Sequence, residues 1–240
     1  MSDEAGGPPS VPERVATILL DAGGVLLNLD YAYIVRLIEA RRQEASIEAL
    51  SAAEAIARNE IHRNVLQGSR VGDLWRDYFH SILGRVGIPA TERDGIIDSL
   101  WEAHQRFGLW TVAIEGAADS LRQLKGRGFR LGVVSNAEGR VETDLMGAGF
   151  DGLLETVVDS HVVGVEKPDP AIFAIALQRL EATPDTTLFV GDVPSVDVVG
   201  ARAAQLTPIL LDPHDLYADW QVHRLPALTE LPGWLDANQL

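Results

Sequence analysis

The stretch Val15-Ala16-Thr17-Ile18-Leu19-Leu20-Asp21-Ala22-Gly23-Gly24-Val25-Leu26 decides how the rest of the chain is read. Its first six residues form a short, largely apolar run, closed by an acid and a glycine pair. That pattern marks a strand buried on both faces rather than one alternating between core and water. Downstream the same grammar recurs. Residues 129–134, 155–158, 187–190 and 208–211 read as further strands, and residues 117–127, 140–146 and 195–204 as helices between them. Asp169 is placed as an N-cap with Pro170 at the first helical position, opening a helix that runs to about Leu180. Strands alternating with helices predict an α/β fold, a Rossmann-like parallel sheet covered on both faces.

Between residue 31 and about residue 110 the texture changes. Ile34, Leu37 and Ile38, then Ile47, Leu50, Ala53 and Ile56, recur at helical spacing. Gly68, Gly72, Gly84, Gly87 and Gly95 punctuate further helical pieces, and no strand pattern is evident. The expected organisation is a disordered tail over 1–13, rich in Gly and Pro, a core built from 14–28 and 113–240, and an inserted all-helical cap over 29–112.

Composition narrows the function classes. Of 240 residues, 46% are hydrophobic and 23% charged, which is ordinary for a globular chain. Lys plus Arg number 20 against 35 Asp plus Glu, a formal net charge of −15. Such a charge repels nucleic-acid phosphates and anionic lipid heads, so neither nucleic acid nor membrane is an expected partner. An anionic small molecule is not excluded, because it responds to the local site. With no Cys, disulfides, thiol catalysis and Cys-ligated metal centres are ruled out. The first ten residues lack the apolar core of a signal peptide, and no segment is apolar enough to span a bilayer; a cytoplasmic location is expected. Oligomeric state is not legible.

In parallel sheets ligands gather at the carboxyl ends of the strands. Here those ends carry Asp21, Ser135-Asn136 and Gly191-Asp192, with Asp197 five residues on, and Lys167 sits in the loop Gly164-Val165-Glu166-Lys167-Pro168-Asp169-Pro170. Each alone is ordinary: a strand-end Asp is most often a turn or a cap, and a Lys before Pro is most often solvated. Together, in one order and each after a predicted strand, they resemble the motifs of the haloacid dehalogenase-like hydrolase superfamily. The matching segments are 18–26, Val133-Val134-Ser135-Asn136, Lys167-Pro168 and 190–197, and the long insert after the first resembles the helical cap typed as C1, of subfamily I.

The resemblance implies a hydrolase in which Asp21 is the carboxylate nucleophile and forms an acyl-phosphate that water then hydrolyses. It implies Mg²⁺ held by Asp21, the backbone carbonyl of Gly23 and Asp192, with Asp197 as a further ligand or a holder of metal-bound water. Ser135 and Lys167 would bind phosphate oxygens of a small phosphorylated substrate. Asn136 would position the substrate or order its loop.

One residue departs from the pattern. Most phosphatases of the superfamily carry a second Asp two positions after the nucleophile, as general acid and base. Here Gly23 occupies that position, removing a contribution of roughly 10²–10⁴-fold in rate. Three readings remain open. One is a Mg²⁺-dependent phosphatase for good leaving groups, such as acyl or aryl phosphates, or one that recruits an acid from His62, His80, His104 or a cap Glu. Another is a metal-independent 2-haloacid dehalogenase, a branch that also lacks the second Asp but typically gives up the acid matching Asp192 and uses a cap Arg, for which Arg36, Arg41 and Arg42 are available. The third is a catalytically weak phospho-ligand or protein-binding module. Trp75, Tyr78, Trp101, Phe107 and Trp110 are candidates for a substrate pocket in the cap, though at helical spacing such residues are more often core.

Overall fold

The computed structural model describes residues 11–70 and 74–240. Most of the expected tail over 1–13, and Gly72, lie outside the described residues; residues 11–13 carry no helix or strand. The chain divides into two compact units, one comprising the residues up to Asn28 together with Thr111–Leu240, the other Leu29–Trp110. The insert thus closes at Trp110 rather than at residue 112.

β1 (Thr17–Leu20) is followed by β2 (Leu27–Leu29), then by α1 (Tyr31–Glu39), α2 (Ile47–Leu66), α3 (Trp75–Arg85) and α4 (Ala90–Phe107), and then by β3 (Trp110–Ala113). β2 and β3 pair as a small two-stranded sheet where the chain leaves and re-enters the first unit. Neither was legible as a strand. A three-residue Leu-Asn-Leu and a four-residue Trp-Thr-Val-Ala are too short to show a period.

The helical unit has its own apolar core. Ile34 and Ile38 of α1, Leu50, Ala53 and Ala57 of α2, Phe79, Ile82 and Leu83 of α3, and Ile96, Ile97 and Leu100 of α4 form one buried cluster. Two starts are capped as their sequences dictate: Asp30 accepts from Tyr33 N–H at 2.8 Å and Ser46 from Ala49 N–H at 3.1 Å. The α2 periodicity needs correction, since Ile47 and Ile56 are exposed and the buried stripe runs through Leu50, Ala53 and Ala57. Glu54 on that stripe is buried, accepts from the hydroxyls of Tyr31 and of Tyr78 (2.6 Å), and pairs with Arg58 at 3.0 Å. Those partners offset the desolvation of its charge and tie α1, α2 and α3 together.

The other unit continues with α5 (Ala117–Gly126), β4 (Arg130–Ser135), α6 (Val141–Leu145), β5 (Thr156–Asp159), α7 (Ser160–Val163), α8 (Pro170–Arg179), β6 (Thr187–Gly191), α9 (Val199–Ala203), β7 (Thr207–Leu211), β8 (His223–Leu225) and α10 (Leu231–Ala237). Six strands form a wholly parallel sheet in the order β5-β4-β1-β6-β7-β8. β1 is central and buried along its whole length, as an uninterrupted apolar strand must be. Leu19 packs with Phe173, Phe189 and Ala176 in the core on one side of the sheet. Asp169 caps α8 through Ala171 N–H at 2.9 Å, with Pro170 at its first position. β8 had no apolar signature, because two of its three residues are His223 and Arg224, as suits an edge strand. The chain's end packs back on this unit: Arg127 donates to the Pro232 carbonyl at 3.0 Å and pairs with Asp236 at 2.8 Å. No helix among the described residues is long and apolar enough to cross a membrane.

Candidate active site

The topology brings the predicted residues to one edge. β1 registers with β4 on one side (Leu20 beside Val133) and with β6 on the other (Leu20 beside Val190). Asp21 therefore leaves the sheet between the ends of β4 and β6, and its N–H still bonds the Val190 carbonyl at 2.8 Å. The sheet is extended from β1 in opposite directions by β4 and β6, so the crevice beside Asp21 is a topological switch point, where such sheets bind ligands.

Lys167 reaches this crevice from the loop before α8. Its side chain is buried, and its ammonium lies 2.9 Å from Asp21 Oδ1 and 2.8 Å from Asp197 Oδ1. Burial alone would lower its pKa; the carboxylates of Asp197 and Asp21 outweigh that and raise it, so the ammonium stays charged. The Asp21 carboxyl is raised above its ordinary 3.8: burial is the main cause and Asp197 adds to it, against the attraction of Lys167. Asp21 Oδ1 also accepts the Ala22 N–H at 2.7 Å. Both of these contacts fall on Oδ1 rather than on Oδ2.

Asp197 is held in a wider, π-type turn over Pro194–Val198, where the sequence had suggested ordinary helix. Its Oδ2 accepts the N–H groups of Asp192 (3.0 Å) and Val193 (2.9 Å) while Oδ1 takes Lys167. Asp197 thus anchors both Lys167 and the backbone that presents Asp192. Gly191 permits this closeness: a Cβ there would overlap Asp197 Cβ and Cγ and stand 2.6 Å from Oδ2.

Carboxylate oxygens of Asp21, Asp192 and Asp197 all lie within 4.8 Å of one another. Hard oxygen donors so placed, with a single ammonium among them, fit a small divalent cation such as Mg²⁺. Gly23 follows in the tight turn after β1, and the left-handed position there falls on Gly24 (φ 71°), not on Gly23.

Ser135 closes β4 and is buried at the same edge. Asn136 turned out to serve the backbone. Its Nδ2 donates to the Lys167 carbonyl at 2.9 Å and its Oδ1 accepts the Lys167 N–H at 2.7 Å. Of the two roles expected of it, ordering the loop is the one this geometry supports, because both ends of the amide are engaged.

A protein-family model for haloacid dehalogenase-like hydrolases matches residues 15–205. The chain belongs to that family. Among haloacid dehalogenase-like relatives, the mouse haloacid dehalogenase-like hydrolase domain-containing protein 3 is 34% identical over 169 residues, covering 68% of this chain and 67% of that protein. A phosphoserine phosphatase of Thermus thermophilus is 28% identical over 174 residues, covering 72% and 61%. In fold, the chain is similar to a dehalogenase solved with its intermediate complex, with TM-score 0.64 and 23% identity over 92% of this chain and 96% of that one. The haloacid dehalogenase-like chain described here is accordingly a hydrolase with phosphatases among its relatives.

The cap candidates are largely committed within their own unit. Trp75, Tyr78 and Trp110 pack on its apolar core, whereas Trp101 and Phe107 are partly exposed. Trp75 stacks on buried His104, with ring centroids 4.8 Å apart. His62 is buried, and His80 lies 3.1 Å from Asp94. Arg41 is spent on the Gly95 carbonyl (2.7 Å) and Ser99 (2.9 Å), and Arg36 lies over the Tyr33 ring. Sequence reasoning overlooked Asp159 and Ser160, a polar pair at the end of β5. The signal is the one present at the other strand ends, a polar pair closing an apolar run; β5 ends at Asp159, one residue beyond the expected 155–158.

Proposed function

We propose that this haloacid dehalogenase-like protein is a Mg²⁺-dependent phosphohydrolase that works through an aspartyl-phosphate on Asp21. Its substrates are small phosphorylated metabolites whose leaving group is a weak base. The observation that carries this reading is the cluster of Asp21, Asp192 and Asp197 oxygens within 4.8 Å, with the Lys167 ammonium bridging Asp21 and Asp197. Within the cluster Asp192 favours this reading over a haloacid hydrolase, the branch that typically gives up the acid at that position. The net charge of −15 supports a small anion rather than a polyanion or a lipid surface as partner.

Mg²⁺ would be held by Asp21, the Gly23 carbonyl and Asp192, with Asp197 behind them. When bound it supplies charge that offsets the repulsion between a carboxylate and a phosphate dianion. Lys167 and the Ser135 hydroxyl hold the phosphoryl oxygens. An Asp21 oxygen attacks phosphorus, the bond to the leaving oxygen breaks, and that oxygen takes its proton from water, since Gly23 has none to give. Water then attacks the phosphorus of the acyl-phosphate, releasing orthophosphate, a proton and the Asp21 carboxylate.

Para-nitrophenyl phosphate turnover with and without Mg²⁺, run beside halide release from 2-chloropropionate and 2-bromopropionate, tests the reading. Mg²⁺-dependent phosphate release without halide release is expected. Halide release indifferent to chelator would establish the dehalogenase reading instead, and silence in both assays the binding module.

A further inference from the structure

Asp159 and Ser160 stand at the carboxyl end of β5, with Asp159 directly in register beside Ser135. Asp159 is buried. Its Oδ2 accepts the N–H groups of Gly139 (2.9 Å) and Val141 (3.4 Å), and its Oδ1 accepts that of His161 (3.0 Å). The Ser160 hydroxyl accepts the Ala137 N–H and donates to the Ala137 carbonyl, both at 3.1 Å. Two adjacent residues thus clamp the loop 136–140 from one side. On the other side the same loop grips Lys167 through both ends of the Asn136 amide.

We infer that Asp159 and Ser160 are positioning residues for phosphoryl binding. They fix the loop that follows Ser135, and through Asn136 they fix the backbone from which Lys167 reaches Asp21 and Asp197. Neither touches the reacting atoms. A carboxylate accepting several backbone N–H groups is a stiff anchor, because each bond is charge-assisted. Asp21 touches Lys167 but is itself held by β1 and by the bond from its N–H to the Val190 carbonyl, so loosening the clamp moves Lys167 against a fixed nucleophile and weakens chiefly the hold on the phosphoryl group, in ground and transition states alike. Uniform loss of that kind appears in KM rather than in kcat.

The kinetic part rests on the phosphohydrolase reading; the relay to Lys167 does not, and it is read separately. Ser160→Ala removes both bonds to Ala137 without altering Lys167 or its partners. Amide hydrogen exchange should quicken by about tenfold at Ala137 and also at Lys167, some 30 residues away along the chain. KM for para-nitrophenyl phosphate and the inhibition constant of orthophosphate should rise together by about 3- to 10-fold, with kcat within about twofold. Ser160→Thr, which keeps the hydroxyl, should restore all three, and Asp159→Asn provides a second variant with the same readouts. Unchanged exchange at Lys167 overturns the relay. A fall in kcat and melting temperature with KM and the phosphate constant unmoved reduces the pair to a structural role and also overturns the inference. If the parent protein hydrolyses no phosphate ester, the phosphohydrolase reading falls and exchange at Lys167 decides the clamp alone.

Discussion

Lys167 holds its ammonium 2.8 Å from Asp197 Oδ1, and both side chains are only 1% exposed. A buried pair of this kind costs desolvation on both sides, and it persists here because Asp197 also accepts two backbone N–H groups. Removing Asp197 leaves the buried Lys167 ammonium with Asp21 as its one remaining carboxylate of the two, and takes the acceptor from the Asp192 and Val193 N–H groups. Asp197→Ala is therefore expected to lower the unfolding free energy by about 3–5 kcal/mol in urea titrations with chelator present. Asp197→Asn should lose less, since an amide oxygen still accepts from the 192–193 backbone. A loss below about 1 kcal/mol for Asp197→Ala would mean the pair is not held as described.

Gly191 and Gly126 make a matched contrast. A Cβ at Gly191 would run into Asp197, whereas one at Gly126, the last residue of α5, meets nothing within 4 Å. Gly191→Ala should destabilise by about 1–3 kcal/mol through overpacking and abolish most activity by displacing Asp197. Gly126→Ala should be neutral or stabilise by up to about 1 kcal/mol through helix propensity. Thermal melts of the two variants check this; similar behaviour would remove the close approach from the account.

Asp21 makes the metal-free protein sensitive to pH in a definite direction. Its carboxyl is raised above 3.8, chiefly by burial, so the unfolded chain ionises first as pH rises. Stability from this group is complete below about pH 4 and is lost as pH climbs through the native value. Asp21→Asn does not ionise and escapes that loss. In chelator, its melting temperature should exceed the parent's at neutral pH, and the difference should shrink as pH falls toward 4. A difference that grew on acidification would reverse the assigned sign.

Gly23 bears on the leaving group. Without a proton donor at that position, turnover should depend steeply on leaving-group pKa, with aryl and acyl phosphates favoured over alkyl phosphates. Gly23 is not in the left-handed region, so its backbone admits an L side chain. Gly23→Asp should then raise alkyl-phosphate turnover by up to about 10²-fold and aryl turnover far less. Equal parent rates on the two classes would show that another residue donates the proton.

The sequence by itself determined most of the sheet and which polar residues stand at its carboxyl edge. The run over 15–20 reads as a buried strand, of which Thr17–Leu20 form β1, and the polar residues closing that strand and its neighbours are readable because a chain must turn where an apolar run ends. Asp169 before Pro170 is legible for the same local reason. Tertiary structure decided the rest. β2, β3 and β8 are too short or too polar to carry a period, and they exist because a partner strand takes up their backbone groups. Ile47 and Ile56 fit a helical stripe yet face water, because the neighbouring helices pack on Leu50, Ala53 and Ala57. The contacts within the candidate site were decided in the same way. Asn136 and Lys167 are 31 positions apart, and so nearly are Lys167 and Asp197. Which lone pairs are already taken, and so which atoms remain for a ligand, follows only once the parallel sheet has brought those distant strand ends together.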